Sequence, residues 1–207
     1  MRVGSVRRGA SGSAIVAAGG SSYCVLPEQL EELGLSLDAL IPGTELGEEE
    51  AAVLQLAAEA REAEQRGLAL LARAEQSTFM LRLKLEARDF SKPSIELALS
   101  HLNVTTLLDD RRFARSYISA RLAKNGGRPE GPTNIVAGLR ERGIDRETAA
   151  SALAEVLGPD ERKEALLKAV QKLNKRGIVE QDELRRALHA FGFRSGEIAE
   201  LFETLYP

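Results

Sequence analysis

The chain has 207 residues, 43% hydrophobic and 29% charged, with Lys+Arg 28 against Asp+Glu 31 and a formal net charge of −3. This describes a folded chain of one or two domains rather than a disordered one. A single cysteine, Cys24, excludes a disulfide framework. With only His101 and His189 beside it, zinc sites of the Cys₂His₂ or Cys₄ type are excluded too, and the mild net charge argues against an autonomous, tight nucleic-acid binder.

Residues 1–46 read as a small strand-bearing module. Val3 and Val6 flank Gly4-Ser5, Ser13–Ala18 is small and β-tolerant, and Tyr23–Leu26 reads as a further strand after a Gly19-Gly20 turn. Pro27 suits the first turn of a short helix over Glu28–Leu33, closed by Gly34. Pro42-Gly43 is the next break. The glycines match no phosphate-loop pattern and read as turns. Met1–Arg8 is basic, but no apolar stretch of about 7–15 residues follows, so no secretory signal is expected and the chain is placed in a reducing cytoplasm. The longest unbroken apolar runs, Ala14–Ala18 and Leu68–Ala72, are too short to span a bilayer.

From Gly47 the pattern is helical. Glu48-Glu49-Glu50 suits a helix start, and Val53, Leu54, Ala57, Ala58 and Arg61 follow at helical spacing. The helix is expected to run to about Arg73, bent or interrupted at Gly67. Three later segments then align without a gap: Leu81–Leu102, Ile135–Val156 and Leu184–Leu205. Apolar residues share columns: Leu81, Ile135 and Leu184; Leu85, Leu139 and Leu188; Phe90, Ile144 and Phe193; Ile95, Ala149 and Ile198; Leu99, Leu153 and Phe202; Leu102, Val156 and Leu205. Asp89, Gly143 and Gly192 share the column where a left-handed residue would end the first helix of each pair.

A further helix precedes each copy, carrying Phe113, Ala114, Tyr117, Ile118 and Leu122 in the second and Ala165, Leu166, Ala169, Val170 and Leu173 in the third. The predicted fold is therefore mainly α, a tandem array of three three-helix units behind a small N-terminal antiparallel β piece. The expected boundaries are 1–46, 47–108, 109–158 and 159–207, and the stacked units are expected to form an elongated or curved array.

Charge is uneven. Residues 1–66 hold 5 basic and 11 acidic residues, a net of −6, whereas Arg73–Arg142 holds 13 against 8, a net of +5. The basic middle could meet a polyanion or an acidic protein face, or could be a solvated helix surface. His101 and His189 fall in columns off the apolar stripe and read as exposed surface residues. Cys24 reads as a packing residue in a strand. No nucleophile–base or paired-carboxylate constellation stands out, and no cofactor or metal is expected.

Ser77, Leu81, Lys84 and Leu85, then Leu108-Asp109-Asp110 with Arg112-Phe113-Ala114, Tyr117-Ile118 and Arg121, then Gly131-Pro132, Ile135, Leu139 and Arg142-Gly143-Ile144, resemble the RecX family, regulators of the RecA recombinase. The likeness extends over nearly the whole chain and is most specific over Ser77–Leu157. Departures are Met80 at a usual Glu, Thr133-Asn134 at usually basic positions, and a longer loop over Lys124–Glu130.

The resemblance implies a non-enzymatic modulator that lies on the RecA filament, touches single-stranded DNA indirectly or weakly, and restrains filament growth, ATP hydrolysis and strand exchange. No membrane contact is expected, and the chain is expected to be a monomer. The residues expected to face RecA or DNA are Arg82, Lys84, Arg88, Arg111, Arg112, Arg115, Arg121, Arg140 and Arg142. The alternative for each is solubility and local ion pairing. Arg121, one turn from Tyr117, could lay its stem on the apolar stripe and extend its head. A second basic face could run along Lys163, Lys168, Lys172, Lys175 and Arg176. Two other functions stay open: an autonomous helix-turn-helix DNA binder, and a helical-repeat scaffold for another protein.

Overall fold

The computed structural model describes residues 1–123 and 129–205, in two compact units, Met1–Asp109 and Asp110–Pro207. Most of the loop expected over Lys124–Glu130 lies outside the described residues.

The first unit opens with an antiparallel meander of β1 (Val3–Arg8), β2 (Ala14–Ala18) and β3 (Ser21–Val25). Register runs Val3 to Ala18 and Ala14 to Val25, with a bulge at Gly4. Gly19 and Gly20 turn β2 into β3 with φ of 56° and 85°, angles that glycine adopts without strain. Three small strands cannot bury one another. Val3, Val16, Ala18 and Val25 instead pack on Leu30 of α1 (Pro27–Glu32), on Leu40 and Leu46, and on Leu54 and Ala57 of α2 (Glu48–Leu71).

Helix α2 runs unbroken through Gly67, so the interruption offered as one expectation there does not occur. A Cβ at Gly67 would lie 3.0 Å from Leu102 Cδ1, so the residue permits close packing of α4 (Lys92–Val104) on α2. A second apolar cluster joins Ala63 of α2 to Leu81 and Leu85 of α3 (Thr78–Glu86), to Ile95, Leu99 and Leu102 of α4, and to Leu108.

The second unit holds two further clusters. One joins α5 (Asp110–Leu122), α6 (Pro132–Arg140) and α7 (Arg146–Val156); the other joins α8 (Pro159–Asn174), α9 (Gln181–Ala190) and α10 (Ser195–Leu205). The repeat columns face inward: Leu81, Leu85, Ile135, Leu139, Leu184 and Leu188 are all fully buried. Asp89, Gly143 and Gly192 have φ of 63°, 78° and 91°, the left-handed helix ends anticipated from their shared column. The last column departs from expectation. Leu102 is buried, but Leu205 is 41% exposed on the final turn of α10, where among the described residues no further helix covers it.

Helix starts are set by side chains. Ser77 Oγ accepts the Met80 N–H at 3.1 Å, and Asp145 Oδ1 accepts those of Glu147 and Thr148 at 2.9 Å each. Its bonds from Thr148, then Glu147, hold the Asp145 carboxyl below the usual aspartate range. Within the second unit, α6 begins against the corner between α9 and α10. The Gly131 N–H donates to Phe191 O at 2.6 Å and the Thr133 N–H to Gly192 O at 3.1 Å. A Cβ on Gly131 would meet the Gly192 carbonyl carbon at 2.5 Å, so only glycine allows this approach.

Candidate functional site

The expected basic surface is centred on α5. Phe113, Ala114 and Ile118 point into the core, which leaves Arg111, Arg112 and Arg115 toward the outside and Tyr117 half-buried between. Phe113 and Tyr117 rings stack at 6.2 Å, inside the core-facing stripe rather than as an open platform. Tyr117 lies across α6 because residue 138 is glycine: a Cβ there would meet its hydroxyl at 2.3 Å.

Two guanidiniums cover the Tyr117 ring, Arg121 at 5.0 Å and Arg142 at 4.8 Å from its centroid. Arg121 also pairs with Glu130 at 2.8 Å. Arg142 donates to Gly138 O at 2.7 Å and lies 3.9 Å from Glu141. These groups line a polar cleft of about 400 Å³ that reaches Asn134 and Ala190.

Other expected contact residues are held by the protein itself. Arg111 and Arg115 both bind Glu155 on α7, the second at 3.2 Å. The Arg111 bond, then the Arg115 bond, hold the Glu155 carboxyl below the usual glutamate range. Arg82 of α3 pairs with Glu96 of α4. Lys84 donates to Gln76 Oε1 at 2.5 Å, and Arg88 to the Lys84 carbonyl at 2.5 Å. Arg112 is half-buried, and Arg140 is exposed on the last turn of α6. The structure thus brings Arg121 and Arg142 together, and separately Arg111 and Arg115, while Arg82, Lys84 and Arg88 stand on α3 of the first unit. On the second basic face, Lys168 pairs with Glu164 at 2.7 Å.

His101 is not the exposed surface residue its column suggested. Its side chain is 23% exposed, with Nδ1 3.1 Å from Glu64, a carboxylate only 4% exposed. Glu64 also binds Arg61 at 3.1 Å and accepts from Gln29 at 3.2 Å, so one buried carboxylate ties α1, α2 and α4. His189 is exposed as expected. Sequence reading missed this cluster because its members are far apart in the chain. The only local sign was Arg61 and Glu64, charged residues on an apolar stripe.

It also missed a second cleft. Arg146, Arg162 and Arg194 line a hollow of about 320 Å³ with Thr133, Val136 and Leu153. The available sign was positional: Arg146 opens α7 and Arg194 directly precedes α10, one column apart in two repeat copies. Among the described residues no group of three or more His, Cys, Asp or Glu is placed to hold a metal, and no helix is long and apolar enough to cross a membrane.

Residues 109–153 match the profile of the RecX second three-helix domain. The chain is 31% identical over 135 residues to regulatory protein RecX of Treponema pallidum subsp. pallidum, covering 65% of this chain and 80% of that protein. It is 31% identical over 149 residues to regulatory protein RecX of Prosthecochloris aestuarii, covering 70% and 94%. A crystal structure of regulatory protein RecX superposes with a TM-score of 0.76 at 23% identity, covering 99% of this chain and 100% of that one. The structure of RecX from Lactobacillus salivarius gives 0.64 at 20% identity, over 71% and 96%.

Proposed function

This chain belongs to the RecX family of regulatory proteins, and from that membership we propose that it is a non-enzymatic negative regulator of the RecA recombinase. It binds the RecA filament on single-stranded DNA in the cytoplasm and restrains filament growth, ATP hydrolysis and strand exchange, acting in recombination, DNA repair and the SOS response. The observation that carries this reading is where the family match falls. Residues 109–153 contain Arg111, Arg112, Arg115, Arg121, Arg140 and Arg142, six of the nine residues expected to face the filament. Repeated helical units offer many modest contacts along one chain, and contacts linked in this way add their effects without a single deep pocket.

RecA ATP hydrolysis on single-stranded DNA, titrated with this protein, tests the reading. Inhibition near stoichiometric ratios is expected. An unchanged rate at large excess would overturn it in favour of a scaffold for another partner. Tight binding of single-stranded DNA without RecA at ~0.1 M salt would favour an autonomous DNA binder. For the surface, the combined variant Arg82→Ala, Arg88→Ala and Arg121→Ala is expected to weaken inhibition while helicity is retained.

A further inference from the structure

We propose that the outer face of α3, built on Phe79, Met80 and Leu83 and edged by Lys84 and Arg88, docks a short acidic amphipathic helix of a partner protein. The face belongs to the first unit, outside the matched residues 109–153. Only the partner's identity rests on the reading above.

Helix α3 is apolar on two sides. Leu81 and Leu85 fill the core, while Phe79 and Leu83, one turn apart on the opposite side, are 40% and 42% exposed. Half-buried Met80 extends the patch toward Lys84. The repeat supplies an internal control. The positions of Phe79, Met80 and Leu83 hold Thr133, Asn134 and Ala137 in the second copy and Asp182, Glu183 and Arg186 in the third. The fold of a copy therefore does not require apolar side chains there, and their exposure in the first copy calls for a cover.

The second copy shows what meets this side of the helix. The Thr133 N–H donates to Gly192 O at 3.1 Å and Asn134 Nδ2 to Ala190 O at 3.2 Å, so the contact is protein, at a corner between helices. In the first copy the polar groups are replaced by apolar ones, which fit an apolar stripe instead.

Charge sets the rest of the partner. On one flank Arg82 is balanced by Glu96. On the other, Lys84 bonds the neutral Gln76 and Arg88 the Lys84 carbonyl, and neither forms an ion pair with a described residue, Glu86 and Asp89 included. An occupant with carboxylates beside its apolar stripe complements that edge. The nine residues of α3 make a face about 14 Å long, which suits two or three helical turns. It is too small for a second copy of the chain, since a stable pair buries about 1,200 Å² or more.

The test is binding of a labelled peptide of about 18 residues, leucine and glutamate patterned as an amphipathic helix, to the full chain. Saturable binding is expected, and none by the same peptide with lysine for glutamate. The variant Phe79→Thr, Met80→Asn and Leu83→Ala, which gives α3 the residues of the second copy, should bind about tenfold more weakly. Lys84→Gln with Arg88→Gln should bind about threefold more weakly, with less salt dependence. Absence of peptide binding, or equal binding by the first variant, overturns the proposal.

Three controls exclude other occupants. A fall in Tm of the free first variant would assign these side chains to packing within the chain. A dimer seen by sedimentation and lost in that variant would assign the face to a second copy. Weaker binding of oligothymidylate by that variant would assign it to nucleic acid. Each of these overturns the proposal, and unchanged Tm, sedimentation and oligonucleotide binding are expected. Inhibition of RecA ATP hydrolysis by the unaltered protein is measured in parallel. Its absence overturns the RecA reading alone, whereas the peptide assay decides the α3 face.

Discussion

The second unit carries two arginine-lined clefts on either side of the Gly131 junction, and they differ in how their charge is balanced. At the Tyr117 cleft, Arg121 has Glu130, Arg142 has Glu141, and both guanidiniums rest on an aromatic ring. At the other, Arg146, Arg162 and Arg194 form no side-chain ion pair among the described residues, and the nearest acid, Glu197, accepts from the Arg194 backbone N–H at 3.1 Å. The first arrangement positions side chains and holds α5 to α6. The second sets its arginines beside the apolar side chains of Pro132, Val136, Ala150 and Leu153. Arginine density along the sequence therefore does not measure the field a surface presents. The Arg111–Arg121 run is the densest in the chain, yet folding delivers carboxylates to Arg111, Arg115 and Arg121.

The largest effect expected is on the junction that supports both clefts. Gly131→Ala forces a Cβ against the Gly192 backbone, which cannot give as a side chain would, so a loss of about 3 kcal/mol is expected. Calorimetry would show it, and retention of the Tm would mean that the two clefts are not held by that contact. Gly138→Ala should cost about 1 kcal/mol by lifting Tyr117 from α6. It should change the near-UV tyrosine signal.

Glu130→Gln tests the comparison from the other side. Removing the carboxylate that balances Arg121 should add up to about 0.7 unit to the salt slope of oligonucleotide binding, since that guanidinium is then free to meet a phosphate.

The smallest effect is in acid. Arg111, then Arg115, depress the Glu155 pKa below its ordinary value of 4.5 in the folded protein. The stabilisation this gives is complete above that ordinary value and is lost as pH falls through the depressed one. In Glu155→Gln that part of the acid dependence of Tm should vanish, whereas variants of the Arg146 cleft, with no carboxylate in its lining, should leave it in place.

Much of the fold was legible because helical periodicity is a local property. Leu81, Leu85 and their counterparts needed only spacing, and Asp89, Gly143 and Gly192 needed only a shared column. The candidate surface was less legible because charge balance is non-local. Glu155 lies 40 residues from Arg115, and Glu64 lies 35 residues from Gln29, so no window along the chain joins them. His101 was misjudged for the same reason: its column in the repeat carries Glu155 and Thr204, but only in the first copy does that position face a buried carboxylate. The second cleft was hidden because its three arginines sit apart, with acidic neighbours such as Asp145 and Glu161 that mask them in a running charge count.

Helix α2 gives the first unit a mechanical property. One end, at Leu54 and Ala57, closes the core under the strands, and the other, at Ala63, closes the core of α3 and α4. The carboxylate of Glu64 then bonds Gln29 in α1 and reaches His101 in α4. Fraying the helix they share exposes both cores. The strands and the first helical unit are therefore expected to melt as one cooperative block, with backbone amides at Val16 and Leu99, in different clusters, exchanging through the same opening event in hydrogen-exchange measurements.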